Sequence, residues 1–409
     1  MKSRSMLAAL AISYADRLAA FGMPFLMLQF GGGPAAFVRV EYIISISVIV
    51  ATFADGGLKS YILYRFGRDR DAQATTWLTV RAMLVVLAIQ LILFAATLGL
   101  VQPAWLPGSA HGDLPLGVLR GIALSIIGVV TQLLVIHERP LAGIGISLCS
   151  WLIGAAALVL PESTSLDLRV AIFFTSTFLV VLAVPILLWR PTRLRPGREG
   201  LGFLLEALSW SWPILISAAS SIAVAQVARI YGLSTFNAGE ATSFAFWMRI
   251  FSLVQLSHRA AIVMVSRGIF VSGGTGVSPA ILRAYLQMLL PAVVLGFGIA
   301  LAAPWVNQLF GADIPLLPLA VTAMIGLQTT CWCFSALVEL YFSREGRVRM
   351  VMVASGVPAL AFILFLIFSP ALTMLTVASV MAAASFGQLL LLVVFRRRRL
   401  HEAGVRAAK

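Results

Sequence analysis

Twelve apolar stretches follow one another so closely along this chain of 409 residues that no loop between them is large enough to fold as a separate domain. A helix needs about 20 mostly apolar residues to cross a hydrocarbon layer of about 30 Å. Stretches of that kind occupy residues 6–30, 36–62, 76–100, 115–136, 140–160, 168–189, 203–230, 239–264, 281–302, 316–341, 349–368 and 371–395. The pattern predicts an all-α polytopic membrane protein with about twelve transmembrane helices. Composition agrees: 60% of residues are hydrophobic and 11% charged, whereas about a quarter of a soluble domain is charged.

The net charge of +14 raises the possibility of a nucleic-acid partner, but its distribution argues for topology instead. With the N-terminus placed in the cytoplasm, the inner segments hold 22 of the 30 basic residues, among them Arg65, Arg68, Arg70, Arg139, Arg190 to Arg198 and Arg396 to Arg399. The outer loops and their edges carry Asp113, Glu162, Asp167, Glu240 and Asp313. This positive-inside pattern places both termini in the cytoplasm. No nucleic-acid role is expected. The first apolar run is too long for a cleaved signal peptide, contains Asp16 and Arg17, and is expected to remain as a span. Cys149, Cys331 and Cys333 lie in spans without metal-ligand spacing and read as packing residues.

The segment RPTRLRPGREG, from Arg190 to Gly200, divides six spans from six. The expected organisation is an N-terminal six-helix bundle over 1–189, a basic cytoplasmic linker at 190–202, a C-terminal six-helix bundle over 203–395 and a basic cytoplasmic tail at 396–409. Two similar halves related by a pseudo-two-fold, with a substrate site near the midplane, are a common transporter plan. The halves echo each other weakly: GGGPAAF (31–37) opens span two, and NAGEATSF (237–244) opens span eight.

Charged residues inside apolar spans are costly, about 2.5–3.5 kcal/mol each on insertion scales, and persist mainly where they pair or line a wet cavity. At about 100° per residue, Glu41, Ser45, Thr52, Asp55 and Lys59 of span two fall within about an 80° sector. Such a stripe lines a polar path or glues helices together; Asp55 and Lys59, four residues apart, can also neutralise each other. In span one, Ser13, Asp16, Arg17 and Pro24 share a face; in span eight, Thr242, Arg249, Ser252 and Arg259 do. Span seven places Glu206, Ser209, Pro213, Ser217 and Ser220 together. Arg17 and Arg249, one from each half, lie near mid-depth. Arg39 and Arg229 lie near the outer interface and Arg81 and Arg120 near span starts, so these four are expected to snorkel. Gln328, Ser335 and Glu339 of span ten are expected to hydrogen-bond between helices. His258 is either a satisfied packing residue or a proton relay. No catalytic motif is present, neither HExxH nor GxSxG nor a Walker lysine loop, so no enzyme activity, metal or cofactor is expected.

The run FGMPFLMLQFGGGPAAFVRVEYIISISVIVATFADGGLKSYILYR (21–65) resembles the amino-terminal signature of bacterial polysaccharide transporters, the O-antigen and capsule flippases of the multidrug/oligosaccharidyl-lipid/polysaccharide (MOP) exporter superfamily. Their Gly-Pro turn followed by an aromatic matches Gly33, Pro34 and Phe37; their Ala-Asp-x-Gly-Leu segment matches Ala54, Asp55, Gly57 and Leu58. WPILIS (212–217) and AGEATSFAFWMRI (238–250) match more weakly. Family members often carry an acidic residue before the arginine of span seven, where this chain has Ala228. The resemblance implies two six-helix bundles around a cavity lined by spans one, two, seven and eight. It implies a substrate of polyprenyl-diphosphate-linked oligosaccharide, moved across the bacterial inner membrane by alternating access. Asp16, Arg17, Glu41, Ser45, Thr52, Asp55, Lys59, Ser217, Ser220, Arg249 and Ser252 would then contact it, with arginine matching phosphate oxygens. Partners would be the lipid-linked glycan, membrane lipid and other glycan-assembly proteins, and the drive an H+ or Na+ gradient or the membrane potential. A cation-coupled multidrug exporter is the alternative; it favours an acidic, arginine-poor cavity. A membrane-embedded glycan polymerase or acyltransferase is a third reading, which the short outer loops disfavour.

Overall fold

A computed structural model of the chain describes residues 15, 19, 21–26, 33–69, 71–100, 113–137, 139–155, 165–188, 198–271, 279–302, 305, 316–345, 347–369 and 372–407. Its described secondary structure is helical: α1 Gly33–Ala54, α2 Leu58–Asp69, α3 Ala72–Leu100, α4 Asp113–Ile136, α5 Pro140–Ala155, α6 Leu166–Leu188, α7 Arg198–Thr235, α8 Ala238–Val271, α9 Pro279–Leu301, α10 Leu319–Arg344, α11 Val348–Phe368 and α12 Met374–Ala407. Spans two to twelve of the sequence pattern each coincide with these helices, with α1 and α2 sharing span two. Of span one, residues 21–26 are described and are helical. Eight helices among the described residues have the length and apolarity to cross a bilayer. The chain is an all-α, multi-pass membrane protein. It forms two compact units, Met1–Leu215 and Ile216–Lys409, so α7 gives its first half to one and its second half to the other.

In the first unit, span two is not one continuous helix. Gly56 and Gly57 take φ values of +58° and +82°, left-handed conformations that cost an L residue about 1–2 kcal/mol. Asp55 closes this break from below: its carboxylate accepts the Gly57 N–H at 2.9 Å and the Lys59 N–H at 3.2 Å, capping α2. From α3, the Gln90 amide donates to the Ala54 carbonyl that the break leaves open. The polar stripe counted along span two therefore changes direction at Asp55, because a 100° progression assumes an unbroken helix.

Small residues bring α4 onto this element. A Cβ on Gly117 would fall 2.7 Å from Ile46 Cγ2, and one on Gly121 would fall 2.5 Å from Val50 Cβ. Two glycines four apart let helix backbones approach closely where lipid offers no hydrophobic drive to associate. One apolar cluster joins Leu58, Tyr61 and Ile62 of α2, Val80 of α3, Val129 and Leu133 of α4, and Phe203 and Leu204 of α7. Another joins Val40, Ile43 and Ile44 of α1 with Trp151 of α5 and Val170, Phe173 and Phe174 of α6.

In the second unit α8 is the enclosed helix, with every residue from 241 to 251 buried. The Tyr285 hydroxyl of α9 donates to the Cys333 carbonyl of α10 at 2.9 Å and meets His258 Nδ1 of α8 at 2.6 Å. Three helices are tied at one point, with the His258 ring edge-on to Trp332. Phe342, Val351, Ala354 and Leu392 form a core between α10, α11 and α12.

Candidate functional site

Of the cavity residues expected from sequence, Asp16 and Arg17 lie outside the described residues. Glu41 and Ser45 are fully buried within the first unit. Ser45 Oγ donates to the Glu41 carbonyl at 2.8 Å, and Thr52 Oγ1 to the Val48 carbonyl at 2.8 Å, so both hydroxyl protons are held by their own helix. The Asp55 carboxylate is engaged with backbone amides, as above. Lys59 is exposed and runs its stem beside Gly128, where a Cβ would stand 3.3 Å from Lys59 Cδ.

The four arginines expected to snorkel all lie against protein groups. Arg39 bridges two helix N-termini: its Nε donates to Asp113 of α4 at 2.7 Å and its Nη1 to Asp167 of α6. Arg81 of α3 pairs with Glu199 of α7. Arg120 is fully buried, its guanidinium 4.3 Å from the centre of the Trp151 ring. Arg229 is buried in the second unit. Arg120 and Arg229 are enclosed by protein, whereas Arg39 and Arg81 each pair with an exposed carboxylate, Asp167 and Glu199. Arg169 of α6, buried as well, carried no sequence signal beyond its position early in a span.

At the end of the first unit that the charge pattern assigns to the cytoplasm, α7 is held by a group of contacts. Arg65 pairs with Asp69 at 2.5 Å and with Glu206 at 3.1 Å, next to the Arg81–Glu199 pair. Beside them the rings of Tyr64 and Trp210 stack with centroids 4.6 Å apart and an interplanar angle of 21°. Sequence reading had placed Glu206 on a polar face of span seven but had not brought the Tyr64 ring to it.

In the second unit, Arg249 is 8% exposed, eleven residues into α8. At 1.5 Å per residue that is about 16 Å along the axis, half the thickness of a hydrocarbon layer. Ser252 Oγ donates to the Arg249 carbonyl at 2.6 Å. Ser217 of α7 stands beside the Glu339 carboxyl of α10, which accepts from Gln388 Nε2 of α12 at 2.8 Å; the same amide reaches Ser221 Oγ at 3.0 Å. Of the three polar residues on that face of span ten, Glu339 thus hydrogen-bonds to another helix as expected, whereas Gln328 Oε1 accepts from Thr329 of its own helix at 3.2 Å. Ser220 is half-buried one turn beyond Ser217. Among the described residues no group of three or more His, Cys, Asp or Glu is placed to hold a metal ion.

No family model and no curated protein matches the sequence. Solved structures match over nearly the whole chain. An inward-facing multidrug resistance transporter of the MATE family, in the MOP superfamily, is 14% identical with a TM-score of 0.59, covering 97% of this chain and 98% of that one. The lipid II flippase MurJ, in an inward closed conformation, is 11% identical with a TM-score of 0.68, covering 96% and 87%. A MOP superfamily transporter from Pyrococcus furiosus is 13% identical with a TM-score of 0.50, covering 96% and 95%. At identities this low the likeness is one of fold, and the fold of this chain is the one these transporters share.

Proposed function

We propose that this chain is a flippase that moves a polyprenyl-diphosphate-linked oligosaccharide across a bacterial cytoplasmic membrane by alternating access. The observation that carries the reading is Arg249, a guanidinium held near mid-depth in a buried stretch of α8. A guanidinium presents five donors in a planar fork, and a diphosphate offers oxygens in the arrangement that this fork matches. Arg17, read from sequence, would be its counterpart in the first half. The fold supports the reading, since it also serves a lipid II flippase. An H+ or Na+ gradient or the membrane potential would drive the step, without a cofactor.

The same fold serves multidrug transporters, and one observation favours that second reading: the half-buried Glu339 carboxyl inside the second unit suits a coupling cation or a cationic substrate. Reconstituted vesicles separate the two. With a fluorescent undecaprenyl-diphosphate disaccharide in the outer leaflet, transport protects the probe from dithionite. The wild-type chain is expected to protect it, Arg249→Ala to lose at least about tenfold in rate, and Arg249→Lys to keep part of it. Protection that is absent in the wild type, alongside ethidium uptake driven by a proton gradient, would replace the flippase with the drug exporter.

A further inference from the structure

Tyr64 and Trp210 are 44% and 36% exposed, yet neither ring is loose. Their near-parallel stack rests on Tyr61, which is buried and lies 6.0 Å from Trp210 and 5.2 Å from Phe203, edge-on to the latter. Each side of this aromatic block is flanked by charge. Arg65 follows Tyr64 directly in α2, and Glu206 lies one turn before Trp210 in α7; the two side chains meet at 3.1 Å. Both stay partly open to solvent, with Arg65 Nε also paired to Asp69 at 2.5 Å, so each keeps hydrogen-bonding capacity beyond this pair.

This combination has a specific chemistry. The axial C–H bonds of a pyranose carry partial positive charge and pack on the electron-rich face of an aromatic ring. Its equatorial hydroxyls need a carboxylate to accept and a guanidinium to donate at the edge of that face. A rigid ring pair with a carboxylate and a guanidinium at its margin supplies both. We infer that Tyr64 and Trp210, with Arg65 and Glu206 at their edge, form a platform for a sugar residue of the lipid-linked substrate on its cytoplasmic side. The inference rests on the flippase reading and adds to it a site for the saccharide, separate from the arginine that meets the diphosphate.

The competing explanation is an interfacial belt, since Trp and Tyr gather at membrane surfaces without binding anything. Trp212 serves as its control. It is as exposed as Trp210, projects about 200° away on the same helix, and has no stacked ring among the described residues.

The test uses the full-length chain in lipid nanodiscs with two kinds of probe. Maltose, cellobiose and N,N′-diacetylchitobiose at millimolar concentration are followed by saturation-transfer NMR, and undecaprenyl diphosphate by native mass spectrometry. Tyr64→Leu and Trp210→Leu are expected to reduce the saccharide signal at least fivefold, while Trp210→Phe and Trp212→Leu retain it. Undecaprenyl diphosphate binding is expected to stay within twofold of wild type throughout. Glu206→Gln, which alters no ring, is expected to weaken the saccharide signal as well, so the outcome does not hang on whether a leucine variant folds. If undecaprenyl diphosphate binds but no saccharide does, or if Trp212→Leu loses as much signal as Trp210→Leu, the platform is overturned and the flippase reading survives. If neither probe binds, the flippase reading falls and takes the platform with it.

Discussion

Gly57 and Ser211 meet so closely that a Cβ on the glycine would fall 2.7 Å from the serine Cβ and overlap its hydroxyl. Gly57 also sits at φ +82°, so two independent constraints select glycine here. Gly57→Ala is expected to destabilise the chain by about 1–2 kcal/mol for the backbone and about 1–3 kcal/mol for the overlap. Gly56 shares the left-handed backbone, at φ +58°, but faces the end of the flexible Leu204 side chain at 3.1 Å, so Gly56→Ala should lose the backbone part alone. Thermal unfolding in detergent checks the order. Ser211→Gly in the Gly57→Ala background is expected to recover the packing loss and not the backbone loss; no recovery would show that the close approach is unimportant.

The first-unit motif shows where sequence reading succeeded and where it stopped. Ala-Asp-x-Gly-Leu was visible as a pattern, and the spans were visible as apolar runs, because both are local. That Asp55 caps a helix break was not, since the break is completed by Gln90 from α3 and tightened by Ser211 from α7, at 36 and 154 residues' remove. The facing of Glu41 and Ser45 could be calculated along one helix; that of Lys59 could not, because the calculation crosses the break. The arginines show the same boundary. Depth along a span identified Arg249, but burial of Arg120 depends on Trp151 in another helix, and no periodicity contains that information.

The Glu339–Gln388 contact gives a second expectation. Gln388→Met leaves the half-buried Glu339 carboxyl without its amide donor, a loss of about 0.5–1.5 kcal/mol. Removing both polar groups at once, in Glu339→Leu with Gln388→Met, leaves nothing unsatisfied between them. The double variant should therefore be less destabilised than the sum of the single ones, with a coupling energy of about 0.5–3 kcal/mol. Additive losses in detergent unfolding would show that the two groups act independently.

Arg39 offers a contrast between two partners of the same cation. The Asp113 side chain is 5% exposed and the Asp167 side chain 81%. Exposed pairs contribute about 0–1 kcal/mol, whereas breaking a buried one costs about 3–5 kcal/mol because a charge is left unpaired in a poor solvent. Asp113→Ala is expected to lower the unfolding midpoint far more than Asp167→Ala. Raising salt to about 1 M, where the screening length falls to about 3 Å, should erase the Asp167 effect and leave most of the Asp113 effect. Equal sensitivity of both variants to salt would show that Arg39 meets both carboxylates in a solvated setting.

Arg120 and Trp151 make the most demanding case, because a fully buried guanidinium is among the costliest groups a helix bundle can hold. A cation over an indole face is stabilised by about 2 kcal/mol or more when water is excluded, and less over a phenyl ring. Trp151→Phe keeps a ring under the guanidinium and should lose part of that amount along with some packing. Trp151→Leu keeps apolar volume but no π face, so Arg120 would lose the contact entirely and the variant should unfold at clearly lower temperature than Trp151→Phe. Arg120→Lys tests the same contact from the other side. A compact, strongly hydrated ammonium neither stacks nor tolerates burial as a guanidinium does, so this substitution is expected to destabilise despite conserving charge. If Trp151→Leu and Trp151→Phe unfold alike and Arg120→Lys matches wild type, the ring and the cation are merely neighbours, and the 4.3 Å separation carries no energetic meaning.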